Sequence, residues 1–288
     1  MNPTIALLTD FGTSDIYVGV MKGVMQNICP DAHFIDISHA IQPQNVREAA
    51  FALMNSYPFF GENIIFLAVV DPGVGSARKP VAVRAGNRTF VCPDNGLLTY
   101  TLSDLGDEVR AVELNNKQYQ LATISSTFHG RDIFATAAAY LASGVPIGAF
   151  GPTCETLKSL PMPELSTQGN MVTGEILHID HFGNIVTSIG LLKWVSSERM
   201  TLVPRFGESR TPVPIYAPDA IISVHDETVT GIQHAYHEGV RGELMMLASS
   251  NDFLEIAINQ GSAAQRLDVR PGDLVTLKLA GSEPGSGG

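Results

Sequence analysis

The sequence has few cysteines, a deficit of cationic residues and no long apolar run. Its 288 residues contain three cysteines, Cys29, Cys92 and Cys154. They are far apart and odd in number, which excludes a disulfide framework and a C-x-x-C metal pair. Reduced thiols of this kind are typical of a cytosolic protein.

Positive charge is scarce as well. Lysine and arginine total 18 against 29 acidic residues, a formal net charge of -11, and without a basic cluster we expect no nucleic-acid partner. No segment reaches the roughly 18 apolar residues of a membrane span, and the opening stretch lacks the features of a signal peptide. We therefore expect a soluble, cytoplasmic protein with no membrane partner.

What is present is typical of a globular α/β protein, with 44% hydrophobic and 16% charged residues. This length allows one large or two modest domains. Apolar runs alternate with helical periodicity through the first half, which predicts βαβ units and a parallel-rich sheet. The predicted strands are 4–9, 33–37, 63–70, 80–84 and 88–92, and the predicted helices are 17–28, 45–60, 96–104 and 130–143. Asn45 is the expected N-cap of the second helix, and Gly144 is the expected C′ residue of the last.

The second half has a different pattern. A proline-rich and serine-rich stretch over 151–174 indicates a linker, and short strands are predicted beyond it at 172–179, 184–189, 199–204, 220–224 and 273–279, with one helix near 228–238 or 251–258. We predict an N-terminal α/β domain over 1–168, a smaller β-rich domain over 169–280, and a flexible tail over 281–288.

Two carboxylates follow buried strands. Asp71 ends the apolar run 63–70, and Asp10 ends the first strand. Ligands of open α/β sheets bind at the carboxyl ends of the strands, so these residues predict a site there. The alternative is that each aspartate only caps its own turn.

Three further segments carry polar groups. His129 precedes a predicted helix and could orient a nucleophile, bind a metal or cap that helix. The segment 178–184 contains two histidines, an aspartate and an asparagine, but strand alternation disfavours a three-ligand metal site there. Ser249–Asn251 alone indicates only a helix N-cap.

In order along the chain, five motifs resemble those of the S-adenosylmethionine hydrolase family, also called SAM hydroxide adenosyltransferases, which is related to the fluorinase and chlorinase. They are Thr9-Asp10-Phe11-Gly12, Val70-Asp71-Pro72-Gly73-Val74-Gly75 with Arg78, Pro93-Asp94-Asn95-Gly96, Phe128-His129-Gly130-Arg131-Asp132 and Asp180-His181-Phe182-Gly183-Asn184.

The resemblance implies an N-terminal Rossmann-like α/β domain and a smaller C-terminal β-barrel domain. It also implies a homotrimer whose active sites lie between the N-terminal domain of one subunit and the C-terminal domain of the next.

The resemblance further implies the roles of individual residues. Asp71, Arg78 and His129 match the family set that positions and activates a water. The implied substrate-binding residues are Asp10 on the ribose hydroxyls, Phe128, Asp180 on the methionine amino group, Phe182 and Asn184 on the adenine, and Ser250 near the methionine carboxylate.

The halogenase relatives have a tyrosine in place of Asp71 and a halide-binding serine in place of Gly130. A carboxylate would repel a halide but accept a proton from water, so the expected nucleophile is water. The predicted activity is hydrolysis of S-adenosyl-L-methionine to adenosine and L-methionine, with neither cofactor nor metal.

Two alternatives remain from the sequence. One is a non-catalytic protein that binds adenosine or S-adenosylmethionine. The other is a metal-dependent phosphohydrolase, in which Asp10, Asp15, Asp71, Asp94 and His129 would surround a divalent ion.

Overall fold

The chain divides into two compact units, residues Met1–Pro161 and Met162–Gly288. The computed structural model describes residues 2–106 and 108–279. The division by contacts falls before the predicted boundary at 168/169, and the predicted tail 281–288 lies outside the described residues.

A six-stranded sheet forms the centre of the first unit. Its strands are β1 Thr4–Thr9, β2 His33–Ser38, β3 Ile65–Val69, β4 Pro80–Ala85, β5 Arg88–Pro93 and β6 Val109–Glu113. They lie in the order β2-β1-β3-β5-β4-β6. The strands β2, β1, β3 and β5 are parallel, whereas β4 runs antiparallel to both β5 and β6. The sheet is therefore mixed, and Asp10 and Asp71 follow two of its parallel strands, β1 and β3.

Helices cover both faces of this sheet. They are α1 Tyr17–Ile28, α2 Val46–Ser56, α3 Thr99–Leu105, a π-helix Gly130–Ala135 and α4 Thr136–Ala142. In β1, Ile5 and Leu7 belong to the core on the side of α1 and α4, while Ala6 and Leu8 belong to the core on the side of α2. A strand buried on both faces has a continuous apolar sequence, which explains the runs seen in the sequence.

Both predicted helix ends are confirmed. The Asn45 side chain accepts a hydrogen bond from Glu48 N at the start of α2. Gly144 has a φ of 97°, a left-handed conformation that suits glycine at C′. The helix predicted over 130–143 is present, although its first turns are π-helical rather than α-helical.

The second unit is almost entirely β-structure. Its strands are β7 Leu165–Gln168, β8 Met171–Ile179, β9 Ile185–Gly190, β10 Leu192–Trp194, β11 Arg199–Leu202, β12 Val213–Tyr216, β13 Ile221–Val224, β14 Glu227–Thr230, β15 Ile232–Gln233, β16 Leu244–Ala248, β17 Phe253–Ile258 and β18 Leu274–Lys278, with one short helix, α5 Ala263–Leu267. Nine of these strands form one sheet, in which β14 and β16 lie against each other although they stand apart in the strand order. The sheet therefore curls into a nearly closed, barrel-like layer, and β10, β11 and β12 form a small separate sheet.

The helix predicted near 228–238 or 251–258 is wrong at both positions. Residues 253–258 form β17 and residues 227–230 form β14, with only a short 3₁₀ turn at Tyr236–Glu238. All six residues of β17 are buried, so the apolar run had no alternation to identify it as a strand.

No helix among the described residues is long and apolar enough to span a membrane.

In the second unit, the Trp194 ring stacks on the His234 ring, and the two ring centroids are 3.7 Å apart.

Candidate active site

Asp71 and Arg78 form a buried ion pair at the end of β3. Arg78 Nε donates to Asp71 Oδ1 at 2.8 Å, and Arg78 Nη2 donates to Asp71 Oδ2. The two side chains are only 6% and 4% exposed, and a bidentate arginine–carboxylate pair fixes both groups in one plane. The turn after β3 is closed by the backbone, with Val74 N donating to Asp71 O at 3.2 Å. The Asp71 carboxylate therefore holds Arg78 rather than capping its own turn.

His129 joins this pair through Arg78. Arg78 Nη2 lies 2.8 Å from His129 Nδ1. A guanidinium only donates hydrogen bonds, so Nδ1 is the acceptor and the proton of the neutral ring is on Nε2. Burial lowers the pKa of His129 and the charge of Arg78 lowers it further, while Asp71 and Asp132 oppose the change. The ring is therefore neutral near pH 7 and presents an N–H donor on its far side.

Arg78 is also packed against an aromatic ring. Its guanidinium lies over Phe134 of the π-helix, 5.0 Å from the ring centroid. A cation over an aromatic face is attracted to it. Arg78 thus has three fixed neighbours, Asp71, His129 and Phe134, and is the centre of the cluster.

Neither the metal nor the capping role of His129 is seen in the described residues. The His129 side chain makes no capping hydrogen bond to the helix that follows it. Within residues 2–106 and 108–279, no group of three His, Cys, Asp or Glu side chains is arranged to hold a metal ion.

Asp10 lies just beyond β1 and connects two loops. Its Oδ2 accepts a hydrogen bond from Gln44 N at 2.8 Å, and Gly12 N donates to His39 O at 2.8 Å. Gln44 has a φ of 68°, an unusual conformation for a residue with a side chain. Asp10 therefore fastens the 39–44 segment instead of capping its own turn.

His39 is a residue of this region that the sequence analysis missed. Its Nδ1 lies 2.8 Å from the buried Thr9 Oγ1, and its Nε2 lies 3.0 Å from Asp36 Oδ1. Asp36 in turn binds Lys22 at 2.7 Å. The available signal was a histidine directly after β2, the strand that pairs with β1.

Phe128 packs in an aromatic group beside His129. Its ring centroid is 5.9 Å from that of Phe11 and 5.1 Å from that of Tyr17. A Cβ added to Gly130 would lie 3.2 Å from atoms of both Phe11 and Phe128. A side chain at position 130 would therefore require these aromatic rings to shift by a few tenths of an ångström.

In the second unit, Asp180 organises the turn between β8 and β9. Its Oδ1 accepts from Phe182 N at 2.8 Å and from Asn184 N at 2.9 Å, and its Oδ2 accepts from Asn184 Nδ2 at 2.9 Å. Asn184 is buried, whereas the Phe182 ring is 74% exposed. The turn thus brings three predicted residues together and presents Phe182 outward.

Ser250 lies in the turn before β17. Ser249 Oγ accepts from Phe253 N at 3.2 Å, and Phe253 begins a strand rather than a helix. The helix N-cap predicted for Ser249–Asn251 is therefore wrong, and Ser250 itself is exposed.

Glu255 and Tyr236 are a second pair that the sequence analysis missed. Glu255 is buried in β17 and accepts a hydrogen bond from the Tyr236 hydroxyl at 2.5 Å. Burial raises the pKa of Glu255, and the nearby Asp180 charge adds to that effect. A single acid inside an otherwise apolar run was the available signal.

Comparisons with known proteins match both halves of the chain to one family. Residues 5–151 match the model of the SAM hydroxide adenosyltransferase N-terminal domain, and residues 174–276 match that of the C-terminal domain. An (R)-S-adenosyl-L-methionine hydrolase of Salinispora tropica is 36% identical over 94% of this chain and 96% of its own length. A fluorinase of Actinoplanes is 31% identical over 65% of this chain and 72% of its own.

A solved structure supports the same relationship. A conserved protein of Thermotoga maritima superposes with a TM-score of 0.83 at 33% identity, covering 95% of this chain and 99% of its own. The two domain models together span most of the chain, and both the fold and the near full-length sequence agree with them. The chain therefore belongs to the SAM hydroxide adenosyltransferase family.

Proposed function

We propose that this protein hydrolyses S-adenosyl-L-methionine to adenosine and L-methionine. The observation that carries the proposal is the arrangement of Arg78, which holds Asp71 by two hydrogen bonds and His129 by a third. Relatives named as (R)-S-adenosyl-L-methionine hydrolases are 36% and 37% identical to this chain over 94% and 95% of its length.

In the proposed reaction, water attacks the ribose C5′ opposite the sulfur. The new C5′–O bond forms as the C5′–S bond breaks. The electron pair of the C5′–S bond goes to the positively charged sulfur, so the leaving group is neutral methionine. The leaving group needs no acid, so the residues act on the nucleophile. Each Asp71 oxygen retains a lone pair beside the one that Arg78 uses, and Asp71 takes the proton that water loses.

His129 has a different part in this scheme. With its proton on Nε2 it donates to the water oxygen and does not serve as the base. Arg78 holds both partners and stabilises the negative charge that develops on the attacking oxygen. Holding water and C5′ in line can contribute on the order of 7 kcal/mol through orientation.

The substrate contacts follow the family resemblance. We propose that Asp10 binds the ribose hydroxyls, that Phe128 lines the site, and that Asp180 and Ser250 bind the amino and carboxylate ends of the methionine. Phe182 and Asn184 would contact the adenine. The exposed Phe182 ring supports this assignment, because such a ring can stack on a flat heterocycle.

We further propose a cytoplasmic homotrimer that needs no cofactor, with each active site formed by the first unit of one subunit and the second unit of the next. Three free cysteines support the compartment. Light scattering of the purified protein tests the trimer, and activity that survives a chelator tests the absence of a metal.

The decisive experiment is hydrolysis in ¹⁸O-labelled water. We expect the label in the 5′-hydroxyl of adenosine, and Asp71→Asn should abolish its appearance without a matching loss of affinity. Binding of S-adenosylmethionine without any adenosine after prolonged incubation would indicate a non-catalytic binding protein. Activity lost to chelator and restored by a divalent ion would indicate metal-dependent chemistry instead.

A further inference from the structure

Asp132 is a buried acid that the proposed reaction does not use. It lies in the π-helix three residues after His129 and is 0% exposed. Its neighbours Ile133, Phe134 and Ala135 belong to the apolar core. Burying a charge there is costly unless it is fully hydrogen-bonded, so its partners show what it holds.

The carboxylate has two partners with different functions. Oδ1 accepts from Arg131 Nε at 2.5 Å, which supplies the opposite charge. Oδ2 accepts from the backbone N–H of Ser125 at 2.6 Å. The second bond is to a residue of the preceding loop, so Asp132 attaches the 121–128 loop to the start of the helix.

The backbone of Asp132 strengthens this attachment. Its carbonyl accepts from Leu121 N at 3.0 Å, and its N–H donates to Phe128 O at 3.2 Å. Asp132 therefore contacts the beginning, the middle and the end of the 121–128 loop, and His129 follows directly after it.

The same loop lies against the turn that carries Asp71 and Arg78. A Cβ on Gly75 would lie 2.5 Å from Ser126 O, and Gly75 has a φ of 77°. Only a glycine permits this approach. Ser126 is the neighbour of the residue that Asp132 holds, so a shift of the loop would move the 71–78 turn relative to His129.

π-Helical turns are rare and are frequently found at functional sites. Here the π-helix contains Asp132, whose carboxylate binds the loop that precedes it. We propose that Asp132 is the positioning residue of the site, which sets the distance between His129 and the Asp71–Arg78 pair by fixing the 121–128 loop. This rests on the proposed function for its kinetic consequence, but not for its geometry.

The first test is Asp132→Asn, which keeps the size of the side chain and removes its charge. We expect kcat for S-adenosylmethionine hydrolysis to fall by about tenfold or more, with KM within about threefold of the parent, because positioning acts on the transition state. Asp31→Asn, on an exposed residue, is the matched control and should keep the parental kcat.

A second variant covers the case in which Asp132→Asn does not fold. Ser125→Pro removes the backbone N–H that donates a hydrogen bond to Asp132, and Ser125 lies in a loop outside the core. We expect a similar loss of kcat, and the double variant should lose little more than either single variant. Thr123→Pro is the control, since within the described residues the Thr123 N–H makes no hydrogen bond.

Two readouts do not depend on turnover. NMR should show the Ser125 amide protected from exchange in the parent and rapidly exchanging in Asp132→Ala, which has no side-chain acceptor. The pKa of His129 should be lower in Asp132→Asn because a neighbouring negative charge has been removed. Parental kcat in both Asp132→Asn and Ser125→Pro, or an unchanged Ser125 exchange rate in Asp132→Ala, would overturn the proposal. A parent that does not hydrolyse S-adenosylmethionine but shows both NMR effects would refute the proposed function alone.

Discussion

At the scale of single residues, Arg78 is the group on which the candidate site depends. Its guanidinium uses Nε and Nη2 on Asp71 and Nη2 again on His129. A lysine ammonium keeps the charge but has no planar fork with which to bind both partners. We therefore expect Arg78→Lys to lower kcat by about 100-fold, on the order of the 2.7 kcal/mol associated with one lost charge-stabilising donor.

The control for that substitution is Arg84→Lys, on an exposed residue of β4. It should retain parental kcat and KM in the same steady-state assay. Comparable activity of the two variants would show that positive charge alone, without the fork geometry, is sufficient at position 78.

The pH dependence also belongs to a single residue. Burial and the Arg78 charge lower the pKa of His129 below its ordinary 6.5. Protonation puts a hydrogen on Nδ1, where it faces the Arg78 donor, so activity should fall as the pH drops through the lowered pKa. We expect the acidic limb of the kcat/KM profile, which reports the free enzyme, to have its midpoint below 6.5. The substitution His33→Asn, of an exposed histidine, should leave this limb unchanged.

The lowered pKa of His129 also makes the protein less stable at low pH. This is opposite to the effect of a histidine whose charged form gains a partner in the folded state. Below pH 6.5 the unfolded chain binds a proton on this ring that the folded chain does not, so the ring's contribution to folding stability decreases as pH falls through 6.5 toward the folded pKa. Urea unfolding at several pH values would show this dependence in the parent and not in His129→Asn. In the activity profile, a midpoint of the acidic limb at or above 6.5 would contradict the assignment of that limb to His129.

At the scale of elements, the contact between the 71–78 turn and the 121–128 loop should be sensitive to one added methyl group. Gly75→Ala combines a left-handed φ of 77° with a Cβ placed 2.5 Å from Ser126 O. Gly144→Ala has the same kind of strain, with a φ of 97°, but open space around the Cβ. Both should lose about 1 kcal/mol of folding stability from the backbone conformation.

Only Gly75→Ala should also lose activity, because only there does the methyl group push the two loops apart. Chemical denaturation and steady-state kinetics on both variants make this comparison. Equal kcat values for the two would mean that the contact with Ser126 has no part in the site.

The elements also show which parts of the fold can be predicted from sequence patterns. Asp10 and Asp71 could be placed at one sheet edge because runs buried on both faces identify parallel strands. The strand β4 was predicted at 80–84, but its antiparallel direction was not, although Gly86-Asn87 between paired Ala85 and Arg88 is typical of a tight hairpin. The strand β17 was missed because burial on both faces removes the alternation that identifies a strand.

The site was predictable in part for a related physical reason. Carboxylates at strand ends can be recognised in a sequence, so a site at Asp71 was predicted, with a turn cap as the alternative. The links made by Asp132 to Ser125, and by His39 to Thr9, depend on how loops return onto one another. Single-sequence periodicity has no information on such contacts.

At the scale of the whole molecule, the proposed sharing of each active site between two subunits predicts that two inactive variants complement each other. Asp71→Ala removes a residue of the first unit and Asp180→Ala removes one of the second. Each alone should be inactive, but co-expression should form mixed trimers in which about a quarter of the sites combine two intact units. Hydrolysis by the co-purified mixture is the measurement. Its absence, with mixed trimers verified by differently tagged subunits, would refute a shared site.

The stacked pair of Trp194 and His234 has a practical consequence for such experiments. Trp194 is the only tryptophan in the chain, and it belongs to the second unit, where its ring lies 3.7 Å from an imidazole. Unfolding of that unit separates the two rings and changes the indole emission, whereas unfolding of the first unit alone leaves the pair in place. The protein thus carries an intrinsic fluorophore that distinguishes which half of the chain melts first, without any added label.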